Sequence, residues 1–176
     1  MQLDSGARRE PLRRLVGIWI RRTANTSQAY QAIYLAMRHN LKEGIEPALA
    51  MIQRGERQPY HIQNAMLAIG KLGDKQHLEV LEPLLKDETP LVDPRFVKKG
   101  IRPQVRDVAL AVSIHLAGQK PQDFGFSHIK PNTMTLFLQN TMGFSTDEQR
   151  SGAFTKWERW QKSHNKLDKP QTAETK

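Results

Sequence analysis

The residues that could do chemistry in this chain are few, and their spacing is not that of a catalytic or metal site. The chain has no cysteine, which excludes a disulfide framework and thiol chemistry. None of its histidines stands in an HxH, HxxxH or HExxH arrangement, the spacings that place two metal ligands on one face. The sequence therefore predicts no metal site. The six histidines are His39, His61, His77, His115, His128 and His164.

The other candidates for acid–base chemistry have structural explanations. His115 falls beside the apolar stripe of a predicted helix, which favours a partly buried structural histidine over a catalytic one. Glu79 and Glu82 have a spacing that on a helix is typical of a solvated face. The motifs GxxxxGK[ST], GxGxxG and GxSxG are absent. We therefore predict no catalytic residue and no cofactor.

Two short amphipathic helices joined by a tight turn are predicted over residues 62–87. Pro59 stands at the start of the first helix, where a missing N–H costs nothing, and Gly73 follows as a left-handed cap. Asp74 is the expected N-cap of the second helix, and Pro83 is expected to bend that helix without breaking it. The apolar stripes are Ile62, Ala65, Ile69 and Leu72, then Leu78, Leu81, Leu84 and Leu85.

The string AMLAIGKLGDKQHLEVLEPLLKD within this unit resembles a HEAT-type repeat. It has an alanine-rich first helix, a Leu-Gly-Asp turn and a leucine-rich second helix that ends in aspartate. The resemblance implies an α-solenoid, in which helix pairs stack side by side. It implies no chemistry, because such repeats serve mainly as scaffolds and binding surfaces.

Two diverged copies of this unit flank the central one. Residues 28–54 align with it so that Asn40 falls on Gly73, and both residue types tolerate a left-handed cap. A third copy, 103–118, contains VRDVALA, which also resembles the first helix of a HEAT repeat. Between the second and third copies lies an insertion, 88–103, whose prolines and glycine predict a loop or a short hairpin.

The two ends of the chain differ from these units. A helix is predicted from Pro11, after a flexible segment 1–10. The apolar stripe of this helix comprises Leu12, Leu15, Val16 and Trp19, widened by Ile20. Its Trp19/Ile20 face is expected to pack on the second helix or on a segment upstream. In residues 119–164, irregular segments rich in Phe and Pro are predicted to close the exposed end of the helical stack. This region is expected to contain a short helix through Met134, Phe137 and Leu138 and a last helix bearing Phe154, Trp157 and Trp160.

These patterns predict an all-α fold, a short α-solenoid of about three HEAT-like helical hairpins with an irregular, aromatic C-terminal cap. Its single helical-repeat domain is expected to span residues 11–164, with the loop insertion at 88–103 and the cap at 119–164. The flanking segments are a flexible N-terminus, 1–10, and a disordered polar tail, 165–176.

The net charge of +9 is the functional hint in the composition. Arginines crowd the first predicted helix, and a second basic cluster spans the 88–103 insertion and the start of the next helix. If both groups share one face, they would bind the phosphate backbone of a nucleic acid. The candidate basic binding face comprises Arg13, Arg14, Arg21, Arg22, Lys98, Lys99, Arg102 and Arg106.

A structural explanation of the same charge is also open. Arg38, Lys71 and Lys86 fall near predicted helix C-termini, where cations complement the helix dipole. Other surface arginines serve solubility. A membrane-surface role is less favoured, because the apolar face of the first helix is expected to be used by the core. The sequence contains no run of about 18 apolar residues, so it predicts no membrane-spanning helix.

Together these features favour a non-catalytic protein-binding or scaffold module. Its expected partner is another protein, bound by the second helices of the pairs and the 88–103 loop. Nucleic-acid binding through the basic face is the alternative, and a lyase or hydrolase built on a helical solenoid is a third class that no residue supports. Without a secretory signal or a spanning segment, a cytoplasmic location is expected by default. The sequence leaves open the oligomeric state and whether the chain is a piece of a longer protein.

Overall fold

The computed structural model describes residues 9–92 and 100–164. These residues are mostly α-helical with one two-stranded antiparallel ladder, which confirms the predicted all-α class. Their arrangement as a HEAT-like solenoid stays a prediction, and the predicted polar tail lies outside the described residues. The helices are α1 Arg9–Arg22, α2 Ala29–His39, α3 Ile45–Gln53, α4 Pro59–Leu72, α5 Leu78–Leu81, α6 Val105–Leu116 and α7 Asp147–His164, and the strands are β1 Pro131–Asn132 and β2 Leu136–Phe137.

Helix α4 lies at the centre of the fold, between α2 and α6. Every residue in 62–70 is buried, so α4 is covered on all sides, whereas the sequence predicts a single apolar stripe on this helix. The polar residues Gln63 and Asn64 are buried with the apolar ones. Helix α3 packs against α2 and α4, and the helical segment 75–86 packs against α6. Helix α1 contacts α2 at one end of this row, and α7 contacts α6 at the other.

The turn after α4 differs from the predicted left-handed glycine cap. Gly73 is extended, with φ −91° and ψ −163°, so that prediction is wrong. A Cβ at this position would lie 2.6 Å from the carbonyl oxygen of Ile69, so glycine is needed for close backbone approach, not for handedness. The predicted N-cap is confirmed, because Asp74 Oδ1 accepts a hydrogen bond from the Gln76 amide at 3.0 Å. Asn40 adopts the predicted left-handed cap, with φ 50°.

The second half of the central unit is a distorted helical segment. A 3₁₀ turn over 75–77 leads into α5, and a second 3₁₀ turn over 82–86 follows it. Pro83 lies in the first turn of this last piece and cannot donate the hydrogen bond that would continue an α-helix. The proline was expected to bend one continuous helix. Instead, the chain tightens from α-helical to 3₁₀ geometry at this point.

Helix α1 begins at Arg9, two residues before the predicted Pro11, and buries part of the predicted stripe. Val16 and Ile20 face the core, whereas Leu15 and Trp19 are 64% and 40% exposed, so their expected core packing is wrong. The buried face includes Gly17, where a Cβ would lie 2.7 Å from Glu43 Oε1. Helix α1 also packs against the 42–44 turn, a contact that the apolar periodicity of α1 alone does not reveal.

The segment between α6 and α7 packs on α4, but it contains no helix through Met134, Phe137 and Leu138 as predicted. The side chain of Asn132 accepts hydrogen bonds from the Met134 and Thr135 amides and reverses the chain. Strands β1 and β2 then pair, with Leu136 in a left-handed conformation at φ 73°. Side-chain hydrogen bonds fix this segment to the middle helix: Gln139 Nε2 donates to Asn64 Oδ1 at 2.9 Å, and Gln63 Nε2 donates to the Gln139 carbonyl at 3.1 Å.

A buried ion pair joins α6 to α7. Arg150 Nε donates to Asp107 Oδ1 at 2.8 Å, and both side chains are almost fully buried. The same guanidinium donates to the Arg102 carbonyl at 2.9 Å, and the Gln104 amide donates to Asp107 Oδ2 at 3.0 Å. Burial raises the pKa of Asp107, while the Arg150 guanidinium and the Gln104 amide oppose that shift. Because each charge lies beside an opposite charge and further hydrogen bonds, the pair is tolerated in the interior.

Removing one partner of this pair is expected to destabilise the protein strongly. Asp107→Asn leaves the Arg150 guanidinium buried without its counter-charge, so the free energy of unfolding should fall by about 3–5 kcal/mol. Asp147→Asn is the matched control, because Asp147 also binds Arg150 but its side chain is 81% exposed. The control should cost less than about 1 kcal/mol. Urea unfolding of both variants measures the difference, and equal losses would contradict a structural role for the buried pair.

Candidate functional site

The arginines of α1 divide into those used within the fold and those that face solvent. Arg13 is half-buried, and its Nη2 donates to the His39 carbonyl at 3.1 Å, where α2 ends. Arg21 is exposed, with Nη1 at 3.7 Å from Glu43 Oε1. Arg14 and Arg22 are exposed and form no ion pair with another described residue. Two guanidinium groups of this helix therefore remain available to a partner.

The second half of the predicted basic face is placed around the start of α6. Arg106 is occupied, because its Nη1 lies 2.7 Å from Glu88 Oε1 and its Nε donates to Gln104 Oε1 at 2.6 Å. Arg102 has an exposed side chain, and its amide bonds to the Phe144 carbonyl at 3.0 Å. Lys98 and Lys99 lie outside the described residues.

The described basic residues do not come together on one element. Helix α1 packs on α2, and α6 packs on α4 and α7, so the two groups lie at different ends of the row of helices. A continuous groove of positive charge across the row would have to pass over α2 and α4. The structure therefore brings together Arg14 and Arg22 on α1 and places Arg102 and Arg106 apart from them.

The outward side of α1 carries a set of large apolar side chains that sequence reasoning assigned to the core or overlooked. Leu15, Ile18 and Trp19 are 64%, 43% and 40% exposed. Arg14 and Arg22 lie beside them on the same exposed side. We call these five residues the α1 outer face. Its signal in the sequence is the breadth of the apolar side of α1, because Leu15, Ile18 and Trp19 extend that side beyond the buried Val16 and Ile20.

Glu79, Glu82 and His115 are the residues of the sequence that were considered for acid–base chemistry. Glu79 and Glu82 are exposed, as predicted. The ring of His115 lies edge-on to Phe137 at 5.8 Å between centroids, and partial desolvation lowers the pKa of His115. In residues 9–92 and 100–164, no three His, Cys, Asp or Glu side chains gather as a metal site would require. The α1 outer face is thus the candidate site, and it offers apolar contact and two cations, not reactive groups.

Comparisons with known proteins give no assignment. No protein-family model, no curated protein and no solved structure matches the chain. The resemblance to HEAT repeats therefore stays a prediction from the sequence. Among the described helices, none is both long enough and apolar enough to cross a bilayer. The surface of the molecule itself is therefore the guide to what it binds.

The same substitution, isoleucine to alanine, is expected to have different effects on the outer face and on the core face of α1. Ile18→Ala on the outer face should change the free energy of unfolding by no more than about 0.5 kcal/mol. Ile20→Ala on the core face, where the side chain is fully buried, should cost about 2–5 kcal/mol. Chemical denaturation followed by far-UV circular dichroism measures both. A large loss from Ile18→Ala would show that the outer face is covered within the protein itself.

Proposed function

We propose that this protein is a non-catalytic protein-binding scaffold and that the α1 outer face is one of its docking surfaces. The observation that carries the proposal is the exposure of Leu15, Ile18 and Trp19 together on one helix. Scattered apolar side chains are common on protein surfaces, but a contiguous group of large ones marks an interaction site. Trp and Arg are also the residue types that most often contribute binding energy at protein interfaces.

The composition of the face indicates the chemistry of its partner. Leu15, Ile18 and Trp19 require an apolar surface that excludes water. Arg14 and Arg22 lie eight residues apart, which on an α-helix is about 12 Å along the axis. A fitting partner therefore presents apolar side chains flanked by carboxylates at comparable separation. Electrostatic complementarity of this kind chiefly sets the partner and the association rate, while the apolar contact supplies most of the affinity.

The arrangement of the helices supports the scaffold part of the proposal. Helices α2, α4 and α6 follow one another in a row, while α3 and the 75–86 segment pack on that row as a second layer. This is the order that stacked HEAT-like pairs would have, with the second helices of the pairs in the second layer. A rigid row of this kind holds surfaces at fixed separations, which is what a scaffold requires.

Nucleic-acid binding is the second candidate, favoured by the exposed Trp19 between Arg14 and Arg22. Arginines bind phosphates, and an aromatic ring can stack on an unpaired base. Against it, Arg13, Arg21 and Arg106 already bind groups of the protein. Leu15 and Ile18 would also gain little from a phosphate backbone. The protein-binding proposal explains all five residues of the α1 outer face, and the nucleic-acid alternative explains three.

A site-specific photo-crosslinker tests the proposal in the cell that makes the protein. A benzophenone amino acid at Ile18 should yield defined protein adducts, and the same group at Leu138 should not. Leu138 is the matched control because it is 41% exposed, against 43% for Ile18, but lies outside the α1 outer face. Adding Arg14→Glu and Arg22→Glu should reduce the Ile18 adducts several-fold. Equal adduct patterns at the two positions would contradict the proposal.

A nucleic-acid titration separates the second candidate from the first. Fluorescence anisotropy of a labelled duplex and a labelled single strand should show no tight binding at physiological salt. Suppose that binding appears and that Arg14→Ala with Arg22→Ala makes the negative slope of log K against log salt shallower by about two. The α1 outer face then binds phosphates. That result would replace the protein-binding proposal.

A further inference from the structure

A groove lies at the opposite end of the row of helices from α1. It runs between the 75–86 segment and α7 and encloses about 740 Å³. Its walls carry carboxylates and its base is apolar and aromatic. We call it the acidic groove and define it by Glu79, Glu82, Leu85, Phe154, Trp157 and Glu158.

The charge of the acidic groove is opposite to that of the chain as a whole. Glu79, Glu82 and Glu158 are all exposed, so their carboxylates are open to solvent and to a partner. Lys86 is the cationic residue that also lines the groove. In a protein whose net charge is +9, three carboxylates around one groove form a distinct negative region. Such a region attracts a cationic surface, and the exterior of another copy of this chain is largely cationic.

The base of the groove is held rigidly. Trp157 stacks on Trp160 with a centroid distance of 5.0 Å and an interplanar angle of 8°, and Phe124 meets Trp157 edge-on at 5.9 Å. The indole N–H of Trp157 is buried and has no hydrogen-bond partner among the described residues. Phe154 and Leu85 are half-buried and leave apolar surface beside the carboxylates. Because these rings are fixed, a partner would not have to order them on binding.

We infer that the acidic groove of one molecule binds the α1 outer face of a second copy of the same chain. This inference deepens the proposed function, on which it rests, by naming the partner of the α1 outer face. Arg14 and Arg22 would approach the carboxylates of Glu79, Glu82 and Glu158. Leu15, Ile18 and Trp19 would cover Phe154 and Leu85. Each surface supplies what the other lacks, namely opposite charge at the rim and apolar area at the centre.

The positions of the two surfaces make the contact head-to-tail. Helix α1 packs on α2 at one end of the row, and α7 packs on α6 at the other, so one molecule cannot bring its own two surfaces together. A contact between different surfaces of identical chains leaves one free surface at each end of a dimer. It therefore grows into a chain or closes into a ring. One helix face in one groove is a small interface, so we expect weak association with a Kd of about 10 μM or more.

Charge exchange between the two surfaces tests the inference. One variant carries Arg14→Glu and Arg22→Glu, and the other carries Glu79→Arg and Glu158→Arg. Sedimentation velocity of the full chain from about 5 to 500 μM should show association that weakens with salt. Each variant alone juxtaposes like charges and should associate at least ten-fold more weakly than the unsubstituted chain. A mixture of the two variants should recover association, because every α1 outer face then meets a groove of opposite charge.

A third variant controls for net charge. Arg38→Glu with Arg54→Glu changes the charge by the same amount as the α1 variant, on exposed residues outside both surfaces. It should associate like the unsubstituted chain. Circular dichroism of each variant establishes that it is folded before it is compared.

Several results would overturn the inference. These are an unsubstituted chain that stays monomeric throughout the concentration range, association that survives both charge exchanges, or a mixture that does not recover association. If Ile18 nevertheless crosslinks to a different protein, the inference fails while the proposed function stands. If Ile18 crosslinks to no protein and the chain does not associate, both fail. Binding of the α1 outer face to vesicles rich in anionic lipid, without self-association, would also overturn the inference and would identify a membrane surface as the occupant.

Discussion

The buried Asp107–Arg150 pair is the interaction on which the C-terminal half of the structure depends. Helix α7 buries few side chains of its own, chiefly Arg150, Ala153 and Trp157. Apolar burial along α7 is therefore limited. The ion pair fixes the first turns of α7 against α6, because its charge-assisted hydrogen bonds are directional. Because Trp157 lies two helical turns beyond Arg150, the orientation set by the pair also places the indole at the base of the acidic groove.

Much of the helical architecture follows from the sequence because it is decided locally. Helix α4 is predicted from its apolar stripe, and Pro59, Asp74 and Asn40 stand at helix ends where their chemistry is required. The failures come from contacts that apolar periodicity does not record. Gly73 responds to the Ile69 carbonyl four residues earlier, and Asn132 reverses the chain by bonding to amides two and three residues ahead. The bond of Gln139 to Asn64 on α4 joins residues distant in the sequence.

The sequence predicts the exposed arginines of the candidate site but not its exposed apolar side chains. Arginines on α1 were identified from the sequence, yet Leu15 and Trp19 were assigned to the core. Helix α1 packs against α2 and the 42–44 turn, and Val16 and Ile20 are buried whereas Leu15 and Trp19 are not. The periodicity of α1 alone does not show which part of a broad apolar stripe its neighbours will cover. The acidic groove was harder still to predict, because Glu79 and Glu158 come from different elements that the fold brings to one cleft. Residue spacing describes one helix at a time, so it does not predict which residues of different helices lie close together.

Net charge alone is a poor guide to what this surface binds. Several of the arginines stabilise the fold: Arg150 neutralises Asp107, Arg13 binds the end of α2, and Arg106 pairs with Glu88. The remaining charge is divided unevenly. Cations lie beside the exposed apolar side chains of α1 at one end of the row of helices, and carboxylates lie beside the aromatic rings of the acidic groove at the other. A uniformly basic surface would bind any polyanion and repel its own copies. Here, instead, the two ends of the row of helices carry opposite charge. Head-to-tail assembly requires such an asymmetry, because identical chains then attract one another at one pair of surfaces and repel at other contacts between basic surfaces.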